Sequence, residues 1–281
     1  LLINKDFKLN TTQDSAHLRK LKNSIVLFSS LFIFACDHPA QNQTQKMESN
    51  NLTDITSQAI AHPDRPTLDL NRDPTRVPQK VLRYFDVRPG DKIAELLAAD
   101  GYYTELFSRC VGDKGVVYMQ NNQKFYDFQT DKSVIARLSE NRLPNVLRWD
   151  KELTNLEFEE NSLDKIFMIL VLHDFYWMEK DVDRVIEQAF RSLKPGGVLG
   201  IIDHAAAAGT GNQHATDMQG IHRIDANFVK KTMLKNGFFF DGKSNVLSQA
   251  NDDRSKAFFH PSLKGKPTDR FMMRFKKPEA P

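Results

Sequence analysis

The chain reads as an α/β protein of the doubly wound kind, its open sheet mostly parallel and finished by a C-terminal antiparallel strand pair. Three observations predict this. Apolar runs of strand length alternate with helical stretches across short turns rich in Gly and Pro. The run Leu163 to Leu172 is strongly apolar, as a strand covered on both faces must be. Ile93 to Leu97 opens into the small residues Ala98, Ala99 and Gly101 just before a helix, a turn that lets backbone approach a ligand closely.

The elements follow in order. Asp73-Pro74 reads as a helix cap with proline in the first turn, and Val77, Val81, Leu82 and Phe85 supply one apolar face. Pro89-Gly90 ends that unit and feeds the strand Ile93 to Leu97. Helix Tyr103 to Val111, the turn at Lys114-Gly115 and strand Val116 to Met119 complete a βαβ unit. Helix Ser133 to Glu140 and strand Val146 to Arg148 come next, then Leu163 to Leu172. Helix Val182 to Leu193 ends in Lys194-Pro195-Gly196-Gly197, which leads into strand Val198 to Ile202. Asp225 caps a helix running to Asn236, with Gly237 as its stop. Phe238 to Phe240, Asn245 to Leu247 and Phe271 to Phe275 are late strands close enough in sequence to pair antiparallel.

A chain of 281 residues with 40% hydrophobic content can bury one sizeable α/β domain and carry a tail. Against 39 Lys+Arg stand 36 Asp+Glu, for a net charge of +3 with the signs interspersed, so the composition calls for no nucleic-acid partner. The basic Arg270, Arg274, Lys276 and Lys277 read as a solvated last strand. Arg19, Lys20 and Lys22 precede the apolar run Ile25 to Phe34, which is too short to span a bilayer but the right length for the core of an export signal. Ala35-Cys36 after Ile33-Phe34 resembles a bacterial lipobox. Residues 1–36 are therefore expected to be a lipoprotein-type signal, with Cys36 lipidated, and Asp37 resembles an inner-membrane retention signal. This places the protein on the periplasmic face of the membrane through a lipid anchor; the alternative is a cytoplasmic chain. Residues 37–73, poor in apolar side chains, are expected to be a flexible tether, and residues 74–281 the folded domain. With Cys36 acylated only Cys110 remains, so no intrachain disulfide can form. Cys110 shares helical spacing with Leu106, Phe107 and Val111 and reads as a core thiol.

The layout and its motifs resemble the class I S-adenosylmethionine-dependent methyltransferases, a Rossmann-like fold, from about residue 76 to 275. Val87 to Glu95 resembles that family's entry into its first strand, Asn161 to Ile166 its approach to the fourth, and Leu193 to Leu199 the turn into its fifth. Asp100 to Leu106, Asn141 to Val146, His173 to Trp177, Asp203 to Ala206 and Gly220 to Asp225 resemble a bacterial subgroup of predicted, often exported methyltransferases. The resemblance implies S-adenosylmethionine as methyl donor and a small-molecule acceptor. It implies that Glu95 engages the donor's amino end and that Gly101 opens the helix whose N–H groups hold its carboxylate. Leu97 and Ala99 stand where the family has glycines. Asn121 stands for the acid that grips the ribose, and Asp150 matches the acid near the adenine.

Methyl transfer needs alignment of donor and acceptor and, for an oxygen or nitrogen acceptor, a base. His173-Asp174 and Asp203-His204 end the fourth and fifth strands, where open parallel sheets bind ligands, and His222 precedes the next helix. His173 or His204 is the expected base. Tyr102, Tyr103, Tyr176 and Trp177 are candidate walls that favour a sulfonium. The same His/Asp group suits a metal-dependent hydrolase, but no tight spacing such as His-Glu-x-x-His is present, so no metal is assigned. A third reading is a non-catalytic ligand-binding lipoprotein with a degenerate donor site. The loop Ala205 to Gly220, which contains His214, and the segment Ser248 to Thr268 are expected to select the acceptor.

Overall fold

The computed structural model describes residues 54–127 and 131–279. The expected signal, Cys36 and the first part of the expected tether lie outside them. Among the described residues the strands are β1 (Lys92–Leu96), β2 (Val116–Gln120), β3 (Val146–Trp149), β4 (Leu163–Ile169), β5 (Leu193–His204), β6 (Phe239–Ser244) and β7 (Arg270–Lys276). They form one sheet in the order β3-β2-β1-β4-β5-β7-β6. The pairs among β1 to β5 are parallel, and β7 runs antiparallel to both β5 and β6. The order of strands reverses at β1 and β4, so a crevice opens outside their carboxyl ends.

Period-two alternation assigns side chains to the two faces. Ile93, Phe167, Ile169 and Ile202 join Leu82, Phe85, Leu106 and Phe107 on one face. Ala94, Leu96, Ile166, Met168, Leu199 and Ile201 join Phe175, Val185, Ile186 and Val229 on the other. The helices supplying these partners include α3 (Pro78–Tyr84) and α4 (Tyr102–Val111) on the first face. On the second lie α6 (Leu172–Met178), α7 (Val182–Ser192) and α8 (Ala226–Lys235). The remaining helices named below are α1 (Thr67–Leu70), α2 (Asp73–Arg76) and α5 (Asp131–Leu138). Phe167 is the hub of the first face, stacked on Phe107 at 4.4 Å and edge-on to Phe85 at 5.2 Å. Burying a side chain of that size contributes about 2–3 kcal/mol. Gly200 on β5 makes room for it, since a Cβ there would lie 2.6 Å from the Phe167 ring.

Several boundaries differ from the expected ones, each for a local reason. The helix expected from Asp73 is two helices, α2 and α3, broken at Val77 with φ 45°, because Pro78 disfavours α geometry in the residue before it. Asp73 is not its cap: its carboxylate accepts from Arg65 and from Tyr102 Oη instead. Residues 54–73 are not wholly a tether, since they include a helical segment over 54–60 and α1. Thr56, Ala59, Arg65 and Asp69 are buried there. Charged residues anchor that segment, which is why its low apolar content misleads. The fourth strand stops at Ile169, and Leu172 starts α6. Lys194 to Gly197 lies within β5, at a register shift against β4. Asn245 to Leu247 is a turn, not a strand, with the Ser248 N–H donating to the Asn245 carbonyl at 3.0 Å. β7 is an interior strand rather than a solvated one, and Arg270 is buried in it.

Candidate active site

The turn after β1 keeps a glycine-type backbone without the glycines. Leu97 (φ 46°), Ala99 (φ 53°) and Gly101 (φ 79°) all take left-handed geometry. For a residue with a Cβ this costs about 1–2 kcal/mol. The neighbouring strand holds the turn in place. Leu97 N–H donates to Gln120 Oε1 at 2.9 Å, Ala98 N–H to the Gln120 carbonyl at 2.9 Å, and Ala99 N–H to Asn121 Oδ1 at 2.9 Å. Asn121 closes the brace by donating from Nδ2 to the Ala99 carbonyl at 3.2 Å. Its side chain thus spends one donor and one acceptor on the turn. The turn delivers the first amides of α4, which have no intrahelical acceptor, to the crevice.

Glu95, on β1 one step from the turn, is buried and accepts from Thr104 Oγ1 at 2.5 Å. Burial raises its carboxyl to about 7, against the opposing pull of Thr104 and Arg76. A cationic ligand would recover that desolvation cost.

The second group gathers at the carboxyl ends of β4 and β5. Asp203 is fully buried; its Oδ1 lies 2.7 Å from His173 Nδ1 and accepts the His204 N–H, and its Oδ2 accepts the His173 N–H at 2.8 Å. Asp174 Oδ1 accepts from Trp177 Nε1 at 2.8 Å and faces His222 Nδ1 at 3.0 Å and His173 Nε2 at 3.2 Å. Burial works against a charged His173, but Asp203 and Asp174 outweigh it and hold the imidazolium up to about 10. Burial likewise opposes ionisation of Asp174, yet His173, His222 and Trp177 keep it well below the usual carboxylate range. His204 behaves the opposite way: burial and the nearby positive groups, His173 first, keep it neutral. Its Nδ1 lies 2.6 Å from Thr268 Oγ1, and its ring stacks on Phe258 at 4.6 Å and 4°.

One cavity of about 580 Å³ joins the two groups. It is lined by Glu95 and by Leu97 to Asp100 on one side and by Asp174 and His204 on the other. That volume falls within the range of small-molecule sites. Tyr102 and Tyr103 line it; Tyr176 packs on Phe228 instead, and Trp177 braces Asp174. Asp150 does not line it and is occupied by Tyr126 and by Arg148 Nε at 2.7 Å. The late segment contributes Phe258 and Gly265 to Thr268, whereas the loop Ala205 to Gly220 contributes none. Sequence reasoning missed Asn71, Arg72, Thr75, Arg76 and Arg270, which also line the cavity. The Arg72 and Arg76 guanidinium carbons lie 5.0 and 4.5 Å from the Tyr102 ring centroid. The only signal in the sequence is the run of arginines around Asp73, of which Arg65 and Arg72 fall within the expected tether and Arg76 just beyond it.

Comparison with known proteins agrees with this fold. A methyltransferase-domain family model matches residues 99–201, from the β1 turn into β5. Residues 99–201 thus match a methyltransferase domain, and the chain has the fold of the class I S-adenosylmethionine-dependent methyltransferases. The sequence of this methyltransferase domain is 30% identical over 118 residues to the ubiquinone/menaquinone biosynthesis C-methyltransferase UbiE of Teredinibacter turnerae, covering 42% of this chain and 44% of that protein. It is 32% identical over 118 residues to the Vibrio parahaemolyticus UbiE, covering 41% and 42%. The chain thus spans less than half the length of these curated relatives. The fold superposes with TM-score 0.55 on an S-adenosylmethionine-dependent methyltransferase from Aquifex aeolicus, at 19% identity over 79% of this chain and 98% of that one. It superposes equally, with TM-score 0.55 at 14% identity, on the [4+2]-cyclase SpnF, covering 73% and 82%. The β1 turn, Glu95 and the start of α4 meet at one side of the cavity. Of the two histidines expected as base, only His204 faces the cavity. His173 is fully buried between Asp203 and Asp174 and does not line it.

Proposed function

We propose that the domain binds S-adenosylmethionine against the β1 turn and passes its methyl group to a small acceptor held beside His204. The observation that carries this reading is the shared cavity, in which Glu95 and the turn face His204 and Asp174 across one space. Holding two reactants in line there can lower the barrier by about 7–11 kcal/mol. Phe258 and Thr268 would fix the acceptor side, and His204, neutral and hydrogen-bonded only through Nδ1 among the described residues, would take the proton of an oxygen or nitrogen acceptor. Calorimetric titration of the full chain with S-adenosylmethionine and with its demethylated product tests this. Micromolar or tighter binding is expected, and the absence of both heat and thermal shift would end the proposal.

A second reading, a ligand-binding protein with a degenerate donor site, is favoured by one observation. The residues standing for the ribose and adenine acids, Asn121 and Asp150, are both occupied by protein partners. SpnF, a cyclase of the same fold, shows that the fold itself does not dictate methyl transfer. Turnover of the donor would rule this reading out.

We also propose export and anchoring through Cys36, on the strength of the basic residues, short apolar run and Ala35-Cys36 junction. Mass measurement of the mature N-terminus decides it: a diacylglyceryl cysteine at Cys36 is expected, and an intact unmodified leader would refute it.

A further inference from the structure

We propose that His173 Nε2, Asp174 and His222 Nδ1 form a binding site for a divalent transition metal, of the class that takes imidazole and carboxylate ligands. The three residues come from two distant stretches of chain, and their ligand atoms lie within 4.8 Å of one another. His173 Nε2 and His222 Nδ1 stand 3.2 and 3.0 Å from Asp174 Oδ1. Bonds of about 2.0–2.2 Å to a common ion give neighbouring ligands a separation of roughly 3.0–3.4 Å, so both distances match edges of one coordination polyhedron.

The hydrogen bonds on the far side of each ring make the stronger case. The Met218 carbonyl, 2.9 Å from His222 Nε2, can only accept, so that nitrogen carries the hydrogen. Asp203 Oδ1, 2.7 Å from His173 Nδ1, is a carboxylate oxygen that fixes the hydrogen there in the same way. Each ring therefore turns its other nitrogen, the one that carries the lone pair in neutral imidazole, toward the Asp174 carboxylate. Acceptor atoms at these separations are held together by a cation between them, either protons or a metal ion. His173 Nε2 is buried and, although 3.2 Å from Asp174 Oδ1, it makes no hydrogen bond of good geometry among the described residues. A carboxylate behind one imidazole, a backbone carbonyl behind the other and Trp177 Nε1 on the ligand carboxylate at 2.8 Å are the outer contacts by which metal sites orient their ligands. Two nitrogens and one carboxylate suit Zn²⁺, Co²⁺ or Fe²⁺ rather than Mg²⁺ or Ca²⁺, which take all-oxygen sets. Asp174 also lines the cavity, so the open coordination position would face the space beside His204.

The site requires no donor turnover, and its test is independent of methyl transfer. The full chain, purified without a polyhistidine tag, is equilibrated with Zn²⁺, passed through a desalting column and assayed for metal by mass spectrometry. Replacement by Co²⁺ is followed by visible absorption. Retention of one Zn²⁺ per chain is expected, together with ligand-field bands of nitrogen and oxygen coordination for Co²⁺ and no retention of Mg²⁺. His222→Asn, at a partly exposed position, and Asp174→Asn should each weaken Zn²⁺ affinity at least tenfold, while near-UV circular dichroism shows both variants folded. Three results would overturn the proposal: no retained Zn²⁺, which would mean that protons alone join the cluster; Zn²⁺ retained equally by both variants; or Zn²⁺ lost only in variants that fail to fold.

Discussion

At the scale of single residues, Glu95 and Ala99 hold stored free energy of different kinds. Glu95 is an acid raised by burial from 4.5 to about 7, so the folded chain binds its proton more tightly than the unfolded one does. The folded state has this advantage below about pH 4.5 and loses it as pH rises through 7, an ionisation cost on the order of 3 kcal/mol. The groups facing the carboxyl are Thr104, Arg76, Asp100 and Arg137, and burial outweighs them. Donor binding to the carboxylate should therefore strengthen roughly fivefold between pH 6 and 7.5, the donor's own ammonium limiting the rise. Calorimetry across that range checks it, and Glu95→Gln should both flatten the profile and weaken binding. An unchanged profile in Glu95→Gln would remove Glu95 from the site. At Ala99 the expense is steric. Ala99→Gly should raise stability by about 0.5–1 kcal/mol in urea unfolding, the relief of the left-handed backbone exceeding the entropy glycine adds. The sequence showed Leu97 and Ala99 as departures from glycine. It could not show that the turn survives them, because the bracing atoms belong to Gln120 and Asn121 on the neighbouring strand.

At the scale of elements, periodicity located the strands and helices well and their ends less well. Leu163 to Leu172 is apolar beyond the strand because β4 and α6 are both buried, and composition cannot separate two buried elements in series. The break comes at Leu170, φ 61°, whose N–H donates to the Ile202 carbonyl at 2.7 Å. That turn carries His173 and Asp174 into the first turn of α6, beside Asp203. The start of α8, by contrast, was legible, because a cap is a local device. Asp225 accepts the Asn227 N–H at 2.8 Å and also the Gly209 N–H at 2.7 Å, tying the loop Ala205 to Gly220 to the helix. Asp225→Ala should cost about 1–2 kcal/mol in thermal or urea unfolding, and hydrogen exchange should quicken at Gly209 as well as in the first turn of α8. Faster exchange in the helix alone would show that the loop is held by other contacts.

At the scale of the whole molecule, a buried ionic network joins the segment before β1 to the helices behind the β1 turn. Asp69, almost fully buried, accepts from Arg137 Nη1 at 2.8 Å and from Arg72. Arg137 and Arg142 both reach Glu105, and Arg65 pairs with Asp73 at 2.7 Å. Removing one charge from such a network leaves its partners buried and uncompensated. Asp69→Asn should cost about 3–5 kcal/mol in urea unfolding, and Asp69→Leu with Arg137→Leu should recover much of that loss. Equal losses in the single and double variants would show that Asp69 acts outside the network. The network also explains the misplaced edge of the domain: pairing lets charged residues be buried, and hydropathy counts each of them as solvated. The sequence by itself determined the α/β class, the five-strand parallel run with its antiparallel finish, the family resemblance and the strand end that carries Asp203 and His204, whereas His173 and Asp174, expected at the end of the fourth strand, lie in α6. These follow from local periodicity and turn chemistry, which act over a few residues. Only the tertiary structure decided that Asn121 braces the β1 turn, that His204 rather than His173 faces the cavity, and that His222 meets Asp174 across 48 residues. Those outcomes depend on which side chains distant parts of the chain bring within hydrogen-bonding distance, a property of packing that no spacing along the chain encodes.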